Sequence, residues 1–449
     1  MSASLSEQSQ PLSLGQVAQR WWPLAASWLL MSAELPALSA IVARLPDPEI
    51  HLAAYGGVVM SLALIIESPI LMLLAASTAL SRDWASFVRL RRFMLALSGA
   101  LTLLHGLVAF TPLYDLVVVG LMQPPPEVVE PARLGLMIMT PFTFGVAYRR
   151  FHQGVLIRFG HSRAIGLGTA LRLTSTATVL AVGYLAGTLP GIVVATSAVI
   201  AGILAEAVYA HARTQPVLRY EVRPAPPVQP ALSVRAMLAF YVPLAMTSTL
   251  YLIIRPLGSA AISRMPDPLN SLAVYAVVQG LIFMVQALGI SLNEVVVAML
   301  DTPGAASLLR RFSLILAAST TGLLLLMALT PLSSVWFEQI SGLSPDLAAL
   351  AHTGLWLALP LPAISALQSW FQGTIVHSRR TRGITEATVI YLVCMSAMLM
   401  AGVAWGQAAG LYIALGASTL SVAAQLGWLW RRSRGAVRAF AGRAPVAQA

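Results

Sequence analysis

Long apolar runs separated by short polar, arginine-bearing loops recur along all 449 residues of the chain. About 20 apolar residues in a helix cross the hydrocarbon of a bilayer. On that length, six crossing segments are predicted in the first half: Trp21–Val42, Leu52–Ala76, Phe93–Phe110, Leu134–Leu156, Ile165–Leu185 and Ile192–Ala210. Six more follow: Met237–Ile262, Leu272–Met299, Phe312–Leu329, Leu350–Val376, Ile384–Gly402 and Leu411–Trp430. The runs are continuous rather than alternating, which excludes barrel strands. The pattern therefore predicts an all-α polytopic membrane protein with 12 transmembrane helices.

Composition agrees. Hydrophobic residues make up 57% of the chain and charged residues 10%, with a mean hydropathy of +0.77. A soluble domain of this size needs far more surface charge. There is no lysine, so all 28 basic side chains are arginine, and the net charge is +11. That balance would suit a nucleic acid if it were concentrated on one surface. Instead it is spread over loops between spans, so the lipid bilayer is the expected partner and nucleic acid is not. Cys394 is the lone cysteine and lies in an apolar segment, so neither a disulfide nor a cysteine metal site is expected. The first 17 residues are polar and lack the basic start and short apolar core of a signal peptide, so the first span is expected to be retained.

The loops sort by charge. Arg82, Arg89, Arg91 and Arg92 lie between spans two and three, and Arg149, Arg150, Arg158 and Arg163 between four and five. Arg213, Arg219, Arg223 and Arg235 lie between six and seven. On the same side follow Arg310, Arg311, Arg379, Arg380 and Arg382, then Arg431, Arg432, Arg434, Arg438 and Arg443. The opposite loops hold only Arg44, Arg133 and Arg264, beside the acids Asp47, Asp115, Glu127, Glu130, Asp267, Glu338 and Asp346. The positive-inside rule then places both termini in the cytoplasm of a cell-membrane protein.

The two halves repeat. Arg44-Leu-Pro-Asp-Pro-Glu-Ile-His-Leu-Ala-Ala-Tyr55 returns as Arg264-Met-Pro-Asp-Pro-Leu-Asn-Ser-Leu-Ala-Val-Tyr275, an offset of 220. Pro23-Leu24-Ala25 returns as Pro243-Leu244-Ala245, and Pro36 as Pro256. After a one-residue shift, Thr111-Pro112-Leu113 matches Thr330-Pro331-Leu332, Pro141 matches Pro360, and Gln153-Gly154 matches Gln372-Gly373. Arg163 then matches Arg382, and Gly191 matches Gly410. Six spans per half give both halves the same orientation, related by a pseudo-twofold axis along the membrane normal. The expected organisation is an N-lobe over 1–212, a proline-rich cytoplasmic linker over 213–235, a C-lobe over 236–432 and a cytoplasmic tail over 433–449. The five prolines between Gln215 and Pro230 favour a solvated, extended tether. Such repeats characterise secondary transporters, whose lobes rock about a central site.

Charges inside spans cost at least ~2.5–3.5 kcal/mol each and so face protein or water. Glu34 stands two residues before Pro36, and the equivalent stretch of the seventh span reads Arg255-Pro256. Each proline removes a backbone donor, so a kink or break is expected at both places. The pairing predicts Glu34 and Arg255 across a central cavity, gripping substrate or closing as an ion pair. A static structural pair, or Arg255 reaching outer headgroups, is the plainer reading. Glu67 and Glu294 are candidate proton carriers, with a solvated or paired acid near the cytoplasmic interface as the alternative. Gln279 and Gln286, seven apart on one helix face, suit cavity hydrogen bonds or helix–helix contact. Arg172 suits an anion or a snorkelling surface charge. His105 is expected to make an interhelical hydrogen bond. Glu206 and Glu386 are expected at the interface, and Trp21, Trp22, Trp428 and Trp430 as anchors.

No phosphate-binding loop, His-Glu-x-x-His or nucleophile elbow occurs, so no catalytic residue, cofactor or resident metal is expected. Ser81-Arg82-Asp83-Trp84 is not the glycine-rich basic signature of the major facilitator family.

Twelve spans in two lobes with proline-kinked first helices resemble the multidrug, oligosaccharidyl-lipid and polysaccharide exporter superfamily that contains the MATE transporters. Within it, several segments most resemble the progressive ankylosis (ANK) family. In the first half these are Trp22-Pro23-Leu24 followed by Glu34, Leu52-Ala53-Ala54-Tyr55-Gly56, and Leu104-His105-Gly106-Leu107-Val108-Ala109. In the second half they are Val242-Pro243-Leu244-Ala245 followed by Arg255-Pro256. The resemblance implies a V-shaped exporter, with Glu34 and Arg255 at matching family positions and organic anions or phosphates such as citrate, nucleotides or pyrophosphate as cargo. The expected function is thus secondary export of a small-molecule substrate, an organic anion or a drug, by a monomer coupled to protons or Na+. A lipid-linked oligosaccharide flippase is the runner-up and a non-transporting scaffold the third reading.

Overall fold

The computed structural model describes residues 13–300, 302, 304–378 and 382–441. Arg379, Arg380 and Arg443, residues 442–449 of the expected tail and the first twelve of the polar N-terminal residues lie outside the described residues. Among the described residues the chain is helical throughout, with no strand.

The first half forms α1 (Leu14–Val42), α2 (Pro48–Leu80), α3 (Trp84–Phe110), α4 (Pro126–Ile138 and Thr140–Arg158), α5 (Arg163–Ala186) and α6 (Gly191–Val222). The second half forms α7 (Val234–Ile262), α8 (Pro268–Met299), α9 (Ala305–Leu329), α10 (Pro345–His377), α11 (Arg382–Trp405) and α12 (Gly410–Ala441). Eleven of these are long and apolar enough to cross a membrane, and α4 is the twelfth rod. Its second half carries Arg149, Arg150 and Arg158, which lower its apolarity.

Most helices outrun the spans expected from apolarity. The third begins at Trp84 rather than Phe93, so Arg89, Arg91 and Arg92 lie on helical turns and not in a loop. A helix satisfies its own backbone whatever its side chains, so it continues past the hydrocarbon until a cap stops it. Ser13, Asp83 and Ser233 provide such caps, accepting from the backbone N–H groups of Gln16, Ser86 and Ala236.

The repeat returns as repeated geometry. Asp47 and Asp267 both adopt left-handed φ, 49° and 53°, ahead of Pro48 and Pro268. Gly191 backs onto Val42 and Gly410 onto Ile262, and in each case an added Cβ would lie 2.9 Å from the facing side chain. Only glycine permits that approach, which explains why both halves keep it.

Pro36 and Pro256 interrupt α1 and α7 in the same way. Regular helix ends at Ser32 and Leu252, passes through Ala33 and Ile253, and resumes at Glu34 and Ile254. Both elements are therefore kinked rather than unwound. α2 contains a π-helical stretch, Ala53–Val59, opposite α8, a feature frequent at functional sites.

The linker departs from the expected free tether. α6 continues to Val222, which is fully buried. The residues beyond are largely exposed, yet Val228 donates its N–H to Asp83 at 2.9 Å and Arg223 stacks on Trp84 at 4.6 Å. Apolar residues at 217, 218 and 222 extend the helix and its burial, which proline count alone does not reveal.

Candidate functional site: a charged N-lobe cluster and a tyrosine-rich C-lobe group

Glu34, at the kink of α1, accepts hydrogen bonds from Arg172 Nη1 and from Thr176 Oγ1, the latter at 3.2 Å. Arg172 and Thr176 lie one turn apart on α5, so a single helix face supplies both. The Glu34 side chain is 18% exposed and that of Arg172 12%, so the pair is largely desolvated but still reachable. The Nε of Arg172 has no hydrogen-bond partner and lies 3.4 Å from Glu206 Oε2. Glu206, on α6, is fully buried and accepts from Arg149 at 2.6 Å, Gln153 at 2.9 Å and Thr169 at 3.4 Å. Two carboxylates and two guanidiniums thus alternate across four helices. Glu67, on α2, is 3% exposed, has one oxygen without a protein partner, and feels the charges of Arg150 and Arg149.

The C-lobe counterpart carries little formal charge. Arg255 is exposed at the kink of α7, and no carboxylate contacts it among the described residues. Its charge acts on Tyr275 of α8 and Tyr391 of α11. Tyr251 stacks on Tyr391 with centroids 6.3 Å apart, and Gln279 and Ser418 lie beside Tyr275. By the repeat, Tyr275 stands where Tyr55 stands in the N-lobe, next to Glu34. Tyr391 occupies the place of Arg172 at an offset of 219.

Several expectations are corrected. Glu34 does not pair with Arg255. It finds Arg172 within its own lobe, because α5 presents a guanidinium beside the kink of α1. Arg172 therefore does not snorkel. Glu206 is not an interface residue but the buried hub of the cluster, and Arg149 and Arg150 are helical and half-buried rather than loop residues. Glu294 is exposed on the last turns of α8 and joins neither cluster. Gln286 donates to the carbonyl of Leu361 at 3.4 Å, an interhelical contact, while Gln279 joins the tyrosine group. His105 bonds the carbonyl of Leu136 at 3.0 Å, as expected. Glu386 is partly exposed and bonds Trp428 and Arg432. Arg149, Gln153, Thr176, Tyr275 and Tyr391 were not anticipated as site residues. The repeat offset carried the signal, since 149 and 206 align with Gln368 and Gln425.

The two halves meet through their first helices. Trp21 of α1 donates to the Leu288 carbonyl of α8 at 3.0 Å, and Tyr241 of α7 donates to the Pro69 carbonyl of α2 at 2.5 Å. Further along, Ser61 and Ser259 bond at 3.1 Å, and Gly56 and Gly57 of α2 press against Ala276 and Leu272 of α8.

This fold is that of membrane transporters and flippases of the MATE and wider MOP type. Over 94% of this chain and 96% of the other, it superposes on an inward-facing multidrug MATE transporter of the MOP superfamily with a TM-score of 0.63 at 13% identity. The lipid II flippase MurJ in an inward closed conformation matches 90% of this chain and 87% of its own, with a TM-score of 0.60 at 14% identity. A MOP transporter from Pyrococcus furiosus, described as having a binding pocket of reversed polarity that suggests a different function, matches 94% and 97% with a TM-score of 0.56 at 14% identity. No family model and no curated protein matches the sequence.

Proposed function

We propose that the chain is a secondary active transporter that exports a small organic solute from the cell by alternating access, working as a monomer with both termini in the cytoplasm. The observation that carries this reading is the Glu34–Arg172–Glu206 arrangement beside the α1 kink. Arg172 neutralises Glu34 as long as it holds it. A proton or a cationic group arriving at Glu34 competes for the same carboxylate and releases Arg172 toward Glu206, only 3.4 Å away. The N-lobe thereby acquires two arrangements of near-equal charge balance, the kind of two-state element that couples an ion gradient to lobe movement. Glu67, near Arg150 and Arg149, supplies a third carboxylate.

Arg255 supports an organic anion as the solute. An arginine with tyrosine hydroxyls and an amide around it offers charge-assisted bonds to a carboxylate or phosphate and flat faces to its carbon skeleton. This agrees with the anionic cargo implied by the ANK-family resemblance, and one structural neighbour is described as having a binding pocket of reversed polarity.

Uptake into inside-out vesicles, with and without a pH gradient, tests the proposal. Export should appear as gradient-stimulated accumulation of citrate, a nucleotide or pyrophosphate, and Glu34→Gln should remove its pH dependence. Unchanged pH-coupled flux in Glu34→Gln would remove that residue from the mechanism. The likeness to MurJ favours a second reading, a lipid-linked oligosaccharide flippase. It predicts translocation of a lipid-linked sugar and no flux of the soluble anions.

A further inference from the structure

Arg44 and Arg264, equivalent in the two halves, each reach across to the other lobe. Arg44, just after α1, donates from Nη1 to the Ile340 carbonyl at 2.9 Å and from Nη2 to the Gln339 carbonyl. Arg264, just after α7, donates from Nη2 to the Leu121 carbonyl at 2.6 Å. Each is steadied by its own helix, Arg44 on the Ala40 carbonyl and Arg264 on the Ala260 carbonyl, both at 2.6 Å. The acceptors are equivalent too, because 121 and 340 differ by the repeat offset of 219.

The acceptors lie in the last two residues of short π-helical turns, Asp115–Met122 and Val335–Ile340, that join α3 to α4 and α9 to α10. The last carbonyls of a helical turn lack internal donors and carry its negative dipole end, so they attract a guanidinium. Left-handed residues follow in both halves, Gln123 at φ 52° and Gly342 at φ 75°. They turn the chain back toward α4 and α10. Gly342 also leaves the room for Arg44, since a Cβ there would lie 2.9 Å from its Nη1.

We propose that Arg44 and Arg264 form a paired latch that holds the lobes together at the face away from the chain ends, and that both must let go for that face to open. The inference rests on the alternating-access reading for its purpose but not for its test. Each bond spans the two lobes, so relative rotation that separates the far ends of α1 and α7 from the opposing turns breaks both together. Neither arginine has a carboxylate contact among the described residues that would hold it in place without the other lobe. The three bonds across the lobes are exposed, so each stabilises little, which suits a gate that opens repeatedly better than a permanent staple.

The test reads lobe separation directly and needs no solute. Cys394 is replaced by Ser, and spin labels are placed at Glu127→Cys and Asp346→Cys, exposed equivalents at the starts of α4 and α10. Distances are measured by pulsed electron resonance in nanodiscs. Arg44→Gln and Arg264→Gln should each raise the long-distance population by about fivefold, and the double variant by about 25-fold, the scale of independent exposed charged contacts. Gly342→Ala, which displaces Arg44 without removing it, should shift the same population if the double variant does not fold. Arg133→Gln, which removes a far-face arginine stacked on Tyr114 within one lobe, should leave it unchanged. Distributions in the double variant and Gly342→Ala that match the parent, or an equal shift in Arg133→Gln, overturn the latch. Absence of solute flux with the predicted shifts would instead overturn the transport reading alone.

Discussion

Arg149 donates to Glu206 at 2.6 Å between α4 and α6, and at the equivalent place Gln368 donates to Gln425 at 2.9 Å between α10 and α12. The same helix contact is thus built once with an ion pair and once with two neutral amides. The charged version sits in the lobe that also holds Glu34 and Arg172, where its buried carboxylate gives Arg172 a second partner. The neutral version sits in the lobe of Arg255, which no carboxylate contacts among the described residues.

That pairing makes a quantitative prediction. Removing one member of a buried ion pair strands the other, at about 3–5 kcal/mol, whereas replacing both with hydrogen-bonding neutral groups is far milder. Arg149→Gln and Glu206→Gln should each lower the melting temperature strongly, while the double variant, which copies the C-lobe pair, should recover most of the loss. A thermal-melt cycle in detergent checks this, and strictly additive losses would refute the coupling.

Arg172 is predicted to compete with cations for Glu34. Arg172→Gln removes a charge-assisted contact of about 1.5–3 kcal/mol, so a lipophilic cation should bind about tenfold more tightly or better. Binding is read by thermal shift or calorimetry, with Glu34→Gln/Arg172→Gln as the variant that abolishes the gain. No change in cation affinity would show that Glu34 is closed to solute for other reasons.

Arg255 should matter for solute and little for stability, because it is exposed and holds no carboxylate. Arg255→Gln is expected to weaken anion binding by about tenfold or more through the loss of charge-assisted bonds, with the melting temperature nearly unchanged. A large drop in melting temperature with anion affinity intact would make Arg255 a structural residue.

Asp83 should contribute pH-dependent stability outside the membrane. Burial disfavours its charge, but hydrogen bonds from Ser86 and from the N–H of Val228 outweigh that and hold its carboxyl below the usual aspartate range. Its folded pKa is depressed, so the stabilisation is present above the unfolded value and fades as pH falls through the folded one. Asp83→Ala should cost about 1 kcal/mol at neutral pH, as for a lost helix cap, and speed proteolysis of the 223–233 linker. The gap to the parent should close in acid. A constant gap across that range would contradict the assignment.

Membership of the helices was written in apolar run length, because a bilayer demands some twenty residues whatever else surrounds them. The duplication was equally legible, since residues fixed by backbone geometry, such as Asp47-Pro48 and Gly191, cannot drift without losing the turn or the close approach. Glu34 and Arg255 stood out for the same reason, as charges next to kinks. Their partners did not. Distance along the chain says nothing about which of several helices faces the kink, so the repeat alone points Glu34 toward Arg255, whereas α5 places Arg172 beside it. The fate of Glu206 was likewise decided by packing: a carboxylate near the end of an apolar run reads in sequence as an interface residue, but α6 runs on to Val222 and Arg149, Gln153 and Thr169 close around it. Local chemistry and length are properties of a segment and can be read from it, whereas ion pairing across helices depends on rotation and tilt, which only the assembled bundle sets.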